Sequence, residues 1–237
     1  MFDSYRVADS LVNSRPMPPH ARPHLPVAAV LLAAGASTRL GSPKQLLQDA
    51  NGVALAARAA TQLLDAGCCP VVVVTGATYG PVSDALAGLT VTIVHNADFR
   101  DGMASSIRRG IGAMRTLVSN GGGVLIAACD MPAVETEHYR DLIRASDSGK
   151  LRTGTMYMSV KCSDTGLLLV GIPAIFTRND TDALVNLVGD KGAKSLLALS
   201  DTRSVRSAGS SFDLDTPDDV RAWRATFLER KTPGQSP

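Results

Sequence analysis

The sequence is short of aromatic residues, of net charge and of paired cysteines, and each shortage removes a class of function. Phe, Trp and Tyr make up 4% of the 237 residues, too few to build the stacking platforms that hold single-stranded nucleic acid. The formal net charge is +2, close to neutral, and no nucleic-acid partner is expected without a concentrated basic patch. The four cysteines offer no C-x-x-C pair for zinc or redox chemistry: Cys68 and Cys69 are adjacent, Cys129 ends an apolar run and Cys162 stands alone. The first three read by default as small buried hydrophobes. Such usage suits a reducing compartment, so a cytoplasmic protein is expected. No apolar run approaches the length of a bilayer span, and no membrane partner is expected either.

What is present points to a folded domain. Hydrophobic residues make up 45% of the chain, enough for a large core. The expected fold class is α/β: a single Rossmann-like three-layer domain with a mostly parallel central sheet, over residues 27–230. Length by itself would also permit two domains. Residues 1–26, with Pro16, Pro18, Pro19, Pro23 and Pro26 crowded near their end, read as a flexible extension that lacks the pattern of a secretory signal. Residues 231–237 read as a flexible tail. His20 and His24 have the spacing of a metal pair on a helix, but the prolines around them forbid that helix.

The chain is organised around residues 27–47, VAAVLLAAGASTRLGSPKQLL. The continuous apolar run 27–34 fits a strand covered on both faces, and it stops at Gly35. Ligands of open parallel sheets bind at the carboxyl ends of the strands, where Gly35 falls. Small residues at Ala33, Ala34, Gly35 and Ala36 let the backbone approach a base or phosphate. Arg39 supplies a planar fork and Lys44 a point charge to a polyanion. The plainer alternative is a surface loop with solvated cations. Two better-known phosphate loops are excluded by spacing: Gly35 and Gly41 are too far apart to open G-x-G-x-x-G, and no G-K-S or G-K-T follows Gly41.

Further along, a helix over 53–66, a strand over 70–75, a helix over 82–86 and a strand over 91–94 make βαβ units, so these strands run parallel. The next loop enters a helix over 103–117, which puts Gly102, Met103, Ser105 and Ser106 at its N-terminus. Free N–H groups there favour an anionic ligand, although Ser105 and Ser106 taken by themselves read more readily as caps. A strand over 123–128 delivers Asp130, placed either to hold a hard cation such as Mg²⁺ or to cap the helix over 135–145. The segment 156–161 has an ambiguous period, and 163–166 reads as a turn. Near the end, alternation puts Asp213 and Asp215 on one face of a short strand, where like charges repel unless a cation stands between them. Thr216 and Pro217 start a last helix over 218–229, with Asp218 and Asp219 facing its dipole and Trp223 as a packing residue.

The order Leu32-Ala33-Ala34-Gly35-x-Ser37-x-Arg39-x-Gly41-x-x-Lys44 resembles the signature of the nucleotidyltransferases that activate sugars, isoprenoid precursors and molybdopterin. The continuation Pro43-Lys44-Gln45-Leu46-Leu47 is most similar to the molybdenum cofactor cytidylyltransferases. Gly102-Met103-x-x-Ser106-Ile107, Asp130-Met131-Pro132, Gly171-x-Pro173-x-x-Phe176, Gly189-Asp190-Lys191-Gly192-Ala193 and Asp213-x-Asp215-Thr216-Pro217 repeat the likeness in order. The resemblance implies transfer of CMP from CTP to the terminal phosphate of molybdopterin carrying molybdenum, with Mg²⁺ as cofactor and transient contact with a molybdenum hydroxylase. It implies catalytic Arg39, Lys44 and Asp130, and nucleotide contacts from Leu32, Ala33, Ala34, Gly35, Ser37, Gly41, Gly102, Met103, Ser105 and Ser106. Acceptor contacts fall to Gly171 and Lys191, the latter reading by itself equally as a solvated lysine. Metal ligation falls to Asp130 with Asp215 or Asp213. Ile172 stands where the family more often has His or Asn, so that polar pterin contact is missing. The rival readings are the same chemistry with GTP or another phosphorylated acceptor, a non-catalytic carrier of finished cofactor, and a plain dinucleotide-binding module. The missing G-x-G-x-x-G counts against the last.

Overall fold

A computed structural model describes residues 26–118, 122–158, 168–189, 192–207 and 213–230. The first strand, β1 (Ala28–Ala33), is buried along its whole length. Its alternate residues serve two different cores. Ala29, Leu31 and Ala33 face a layer built with α1 (Leu55–Asp65) and α4 (Thr136–Ala145). Ala28, Val30 and Leu32 face the other layer, built with α3 (Met103–Leu117), α5 (Thr181–Val185) and α6 (Lys194–Leu197). An apolar run without polar alternation therefore makes the middle layer of three, as the sequence leads one to expect.

On one side of β1 stand β2 (Val71–Thr75) and β3 (Thr92–His95), with α2 (Tyr79–Ala85) between them in the chain. β4 (Val124–Ala128) pairs with β1 on the other side. All three of these pairings are parallel. Beyond β4 come β6 (Leu168–Phe176), β5 (Thr153–Met158) and β7 (Arg203–Arg206), so the seven-stranded order is β3-β2-β1-β4-β6-β5-β7. β6 runs antiparallel to both of its neighbours, and β5 pairs parallel with β7. The sheet is mostly parallel with one reversed strand. The last helix is α7 (Pro217–Arg230).

Several elements differ from the sequence-based expectations. Of the ambiguous stretch at 156–161, residues 156–158 are the end of β5, which begins earlier, at Thr153, whereas 159–161 and the turn expected at 163–166 lie outside the described residues. Residues 213–215 form no strand. Their burial still alternates, with Leu214 fully buried and Asp213 exposed, because Leu214 packs with Leu55, Val220 and Trp223. Its N–H donates to the Asp130 carbonyl at 3.0 Å. That small third core, which also takes in Leu40 and Leu47, fastens the end of the chain onto the loop after β1.

At the end of the sheet where β5 begins and β6 ends, Arg152 is buried against Asp180 and pairs with Asp201 at 2.6 Å. Asp180 also closes a capping box with Thr177. Burial works against the Asp180 carboxylate, but the Arg152 guanidinium and Thr177 outweigh it and hold the carboxyl below its ordinary value. Among the described residues no helix is long and apolar enough to cross a membrane.

Candidate active site

β1 ends at Ala33, and the chain then turns out across the carboxyl end of the sheet. Ser37, at φ 53, accepts backbone bonds from Leu40 and Gly41 on its carbonyl. Its hydroxyl oxygen accepts the Lys44 N–H at 3.0 Å. These bonds fold the loop back, so that the 3₁₀ turn Lys44–Leu46 comes to rest beside the strand it left. Gln45, buried under that turn, donates from Nε2 to the carbonyls of Ala33 at 3.2 Å and Gly35 at 2.6 Å. Among the described residues its buried Oε1 has no hydrogen-bond partner.

The Lys44 ammonium projects to the end of β4 and meets carboxylates from two distant parts of the chain. Nζ donates to Asp130 Oδ2 in a short contact and to Asp215 Oδ1 at 3.1 Å. Burial alone would lower its pKa, but the two carboxylates, Asp130 foremost, hold it above its ordinary value. Arg39 donates to the other Asp215 oxygen at 2.7 Å while remaining exposed. The nearby Asp213 is exposed as a whole residue, but the crowding of its carboxyl by the surrounding protein, reinforced by Asp130 and Asp215 and opposed by Lys44 and Lys194, pushes that carboxyl up to about 6. Asp215 is itself held in place from α7. Asp219 Oδ2 accepts the backbone N–H groups of Asp215 at 3.0 Å and Thr216 at 2.7 Å, and the Thr216 hydroxyl at 2.8 Å.

A cleft of about 370 Å³ opens beside this cluster, lined by residues 32–35 with Arg39, Lys44 and Asp130, and on the far wall by Phe99, Gly102, Met103 and Ser106. Phe99 closes against the end of β2, where only glycine fits. A Cβ on Gly76 would stand 2.4 Å from the Ala34 carbonyl and 3.0 Å from the Phe99 side chain. Asn96, buried, donates to the hydroxyls of Ser105 at 2.9 Å and Ser106 at 3.0 Å.

Most of the residues singled out from sequence come together here, but not all in the expected way. Leu32, Ala33, Ala34, Gly35, Gly102, Met103 and Ser106 line the cleft. Ser37 and Gly41 lie outside that lining; Ser37 shapes the loop from behind. Ser105 turns inward, its hydroxyl donating toward the Asp98 and Gly102 carbonyls at 2.8 and 2.9 Å. Neither serine gives α3 a side-chain N-cap bond, so simple capping is not their role. The Ala104 N–H of the first turn meets the Gly189 carbonyl at 3.2 Å, leaving one donor fewer for a ligand. Gly171 lies in β6, away from the cleft lining. Lys191 falls outside the described residues, although Gly192 beside it comes close to Met103.

Gln45, Phe99 and Asp219 have no place at the site in the sequence-based expectations. Gln45 was visible only as part of the Pro43-Lys44-Gln45 likeness, and Asp219 only as a dipole partner.

The family model described as MobA-like NTP transferase domain matches residues 29–206. The curated protein named nicotine blue oxidoreductase, from Paenarthrobacter nicotinovorans, is 31% identical over 172 residues, covering 72% of this chain and 81% of its own. Among solved structures, Rv0371c of Mycobacterium tuberculosis is 27% identical with a TM-score of 0.67, covering 84% of this chain and 98% of that one. It has also been solved in complex with manganese. A nucleotidyl transferase from Methanothermobacter is 25% identical with a TM-score of 0.68, covering 86% and 98%. The cationic loop after β1, the carboxylates that meet it and the family match over most of the fold lead to one conclusion: the chain belongs to the MobA-like NTP transferase domain family.

Proposed function

We propose that the protein transfers CMP from CTP to the terminal phosphate of molybdopterin carrying molybdenum and releases pyrophosphate. The observation that carries this reading is the meeting of Lys44 with Asp130 and Asp215 at the mouth of a cleft lined by the 32–35 backbone. An acceptor phosphate oxygen would form a bond to the α-phosphorus as the bond from that phosphorus to the bridging oxygen breaks. The nucleophile is already ionised, so no Ser-His-Asp device is needed, and the work is positioning and charge neutralisation.

The residues suit Mg²⁺. Among the described residues no group of three or more His, Cys, Asp or Glu forms a ready-made cage, but Mg²⁺ is commonly held by one or two carboxylates together with substrate phosphates. Asp130 and Asp215 already converge on one ammonium, so they would hold the ion, with Asp213 beside them. Bound there, it would offset charge on the transferring phosphoryl oxygens. Gly35 and its neighbours would take the nucleotide through backbone N–H groups, with Gly102, Met103 and Ser106 on the opposite wall. Lys44 and exposed Arg39 would neutralise the departing pyrophosphate. Cytidine as the base and molybdopterin as the acceptor rest on the likeness of Gly102-Met103-x-x-Ser106 and the later segments to the cytidylyltransferases. A molybdenum hydroxylase is the partner that this reading supplies with finished cofactor.

The name of the Paenarthrobacter relative supports a second reading, in which the cleft holds a redox partner. One experiment separates them: thermal shift of the full chain with CTP, GTP, ATP, UTP and NADPH, each with and without Mg²⁺, paired with pyrophosphate release on addition of molybdenum cofactor. Stabilisation by a ligand follows its concentration over its Kd. CTP with Mg²⁺ giving the largest shift, with pyrophosphate released, is the expected result. A shift with NADPH alone would overturn the proposal in favour of the redox reading, and tight cofactor binding without turnover would favour a carrier.

A further inference from the structure

A second set of polar groups gathers at the same end of the sheet, on the far side of Asp130 from the nucleotide loop. The C-terminal end of β5 and the N-terminal end of β6 emerge there, because β6 alone is reversed. Tyr157 stands opposite Leu169, next on the same face to the Thr155 and Gly171 pair. Its phenol lies directly over Gly171. A Cβ on that glycine would stand 2.6 Å from the hydroxyl oxygen and 2.9 and 3.2 Å from two ring carbons. Any side chain at 171 would therefore lift the phenol from its seat, which gives this glycine a role other than touching a substrate.

Tyr157 is half-buried, and among the described residues no hydrogen-bond partner holds its hydroxyl. Burial, followed by the charge of Asp213, raises its pKa. The phenol stands on β5, two strands beyond β4 in the sheet, and it is absent from the lining of the nucleotide cleft.

We propose that Tyr157 is an acceptor-binding, specificity-determining residue, its hydroxyl meeting the polar edge of a phosphorylated ring while Gly171 keeps the phenol in place. This rests on the transferase reading above. An acceptor whose phosphate lies at Asp130 and Asp215 must direct its body away from the nucleotide, toward β5 and β6. The class that fits there is a phosphorylated ring with nitrogen or oxygen hydrogen-bonding groups at its edge.

The test compares the wild-type full chain, Tyr157→Phe, Gly171→Ala and the double variant, with CTP, Mg²⁺ and molybdenum cofactor as substrates. Tyr157→Phe is expected to raise the acceptor KM roughly 3- to 10-fold, the effect of one lost hydrogen bond. The KM for CTP and the thermal shift given by CTP should stay at wild-type values. Gly171→Ala should raise the acceptor KM at least as far, and the double variant no further than Gly171→Ala, since both remove one contact. An unchanged acceptor KM in Tyr157→Phe, or equal losses for acceptor and CTP, would overturn the assignment while leaving the transferase reading intact. No pyrophosphate release by the wild-type protein would overturn the transferase reading itself, and the acceptor role with it.

Discussion

Two ion clusters in this molecule have nearly the same composition and opposite surroundings. At the cleft, Lys44 meets Asp130 and Asp215; at the other end of the sheet, Arg152 meets Asp180 and Asp201. Each joins one cation to two carboxylates distant in sequence. Arg152 and Asp180 form a shut-in pair, with side chains 9% and 8% exposed and further donors to Asp180 from Thr177, while Asp201, 73% exposed, only reaches the guanidinium from the surface. Lys44 and Asp130 keep 16% exposure, Asp215 keeps 32%, and exposed Arg39 completes the set. A planar fork clamps a closed pair, whereas a point charge on a flexible stem can change partners. The closed pair belongs to stability, and the open cluster is where the proposed reaction places its ligands.

That contrast can be broken by substitution. Asp130→Ala is expected to lower turnover on the order of 10²- to 10³-fold while leaving the melting temperature near the wild-type value. Steady-state kinetics beside a thermal melt would check this, and wild-type Mg²⁺-dependent turnover would remove Asp130 from the chemistry. Arg152→Met should do the reverse. It leaves the Asp180 charge buried without its counter-ion, at a cost of about 3–5 kcal/mol in denaturant unfolding, with kcat/KM of the folded fraction unchanged.

The pH dependence of Arg152→Met sharpens the point. In the wild-type protein the Asp180 carboxyl is held below its ordinary 3.8, so its stabilising contribution is full above that pH and is lost as pH falls toward the folded value. In the variant, burial acts on Asp180 unopposed by Arg152, and protonation relieves the charge. The stability gap between the two proteins should therefore narrow as acid is added. A gap that stayed constant from pH 7 to pH 3 would show that Asp180 is not the group responsible. Arg39→Ala should have the smallest effect on folding, under about 1 kcal/mol for so exposed a pair, with a weaker CTP-induced thermal shift as its visible consequence.

The sequence was most legible where chemistry and periodicity coincide locally. The helix expected over 103–117 is α3 to the residue, and the apolar run before Gly35 is β1 with its two buried faces. The cleft-lining residues of the loop and of the α3 start were recognisable because small residues and glycines must sit where a backbone approaches a ligand. Ser105 stayed open in the sequence because a serine at a helix start offers its hydroxyl to either ligand or backbone, and only the fold brings Asn96 and the Asp98 carbonyl to it. Gln45 and Asp219 were passed over for a related reason: their value lies in carbonyls and N–H groups brought near by folding. Tyr157 could not be found at all from a segment whose period is ambiguous.

By itself, the chain's pattern of apolar runs and small-residue breaks determined a three-layer α/β domain, since burial on two faces is written residue by residue in β1, β2 and β4. It also determined that cations follow the first strand and acids follow the fourth. Only the tertiary structure decided that Lys44 meets acids 86 and 171 positions away, and that Arg152 is sealed in rather than offered to a ligand. It also decided the reversal of β6, which puts Tyr157 over Gly171. The physical reason is range: strand and helix preferences act between neighbours along the chain, whereas a charge acts on whatever the fold brings within a few ångströms of it.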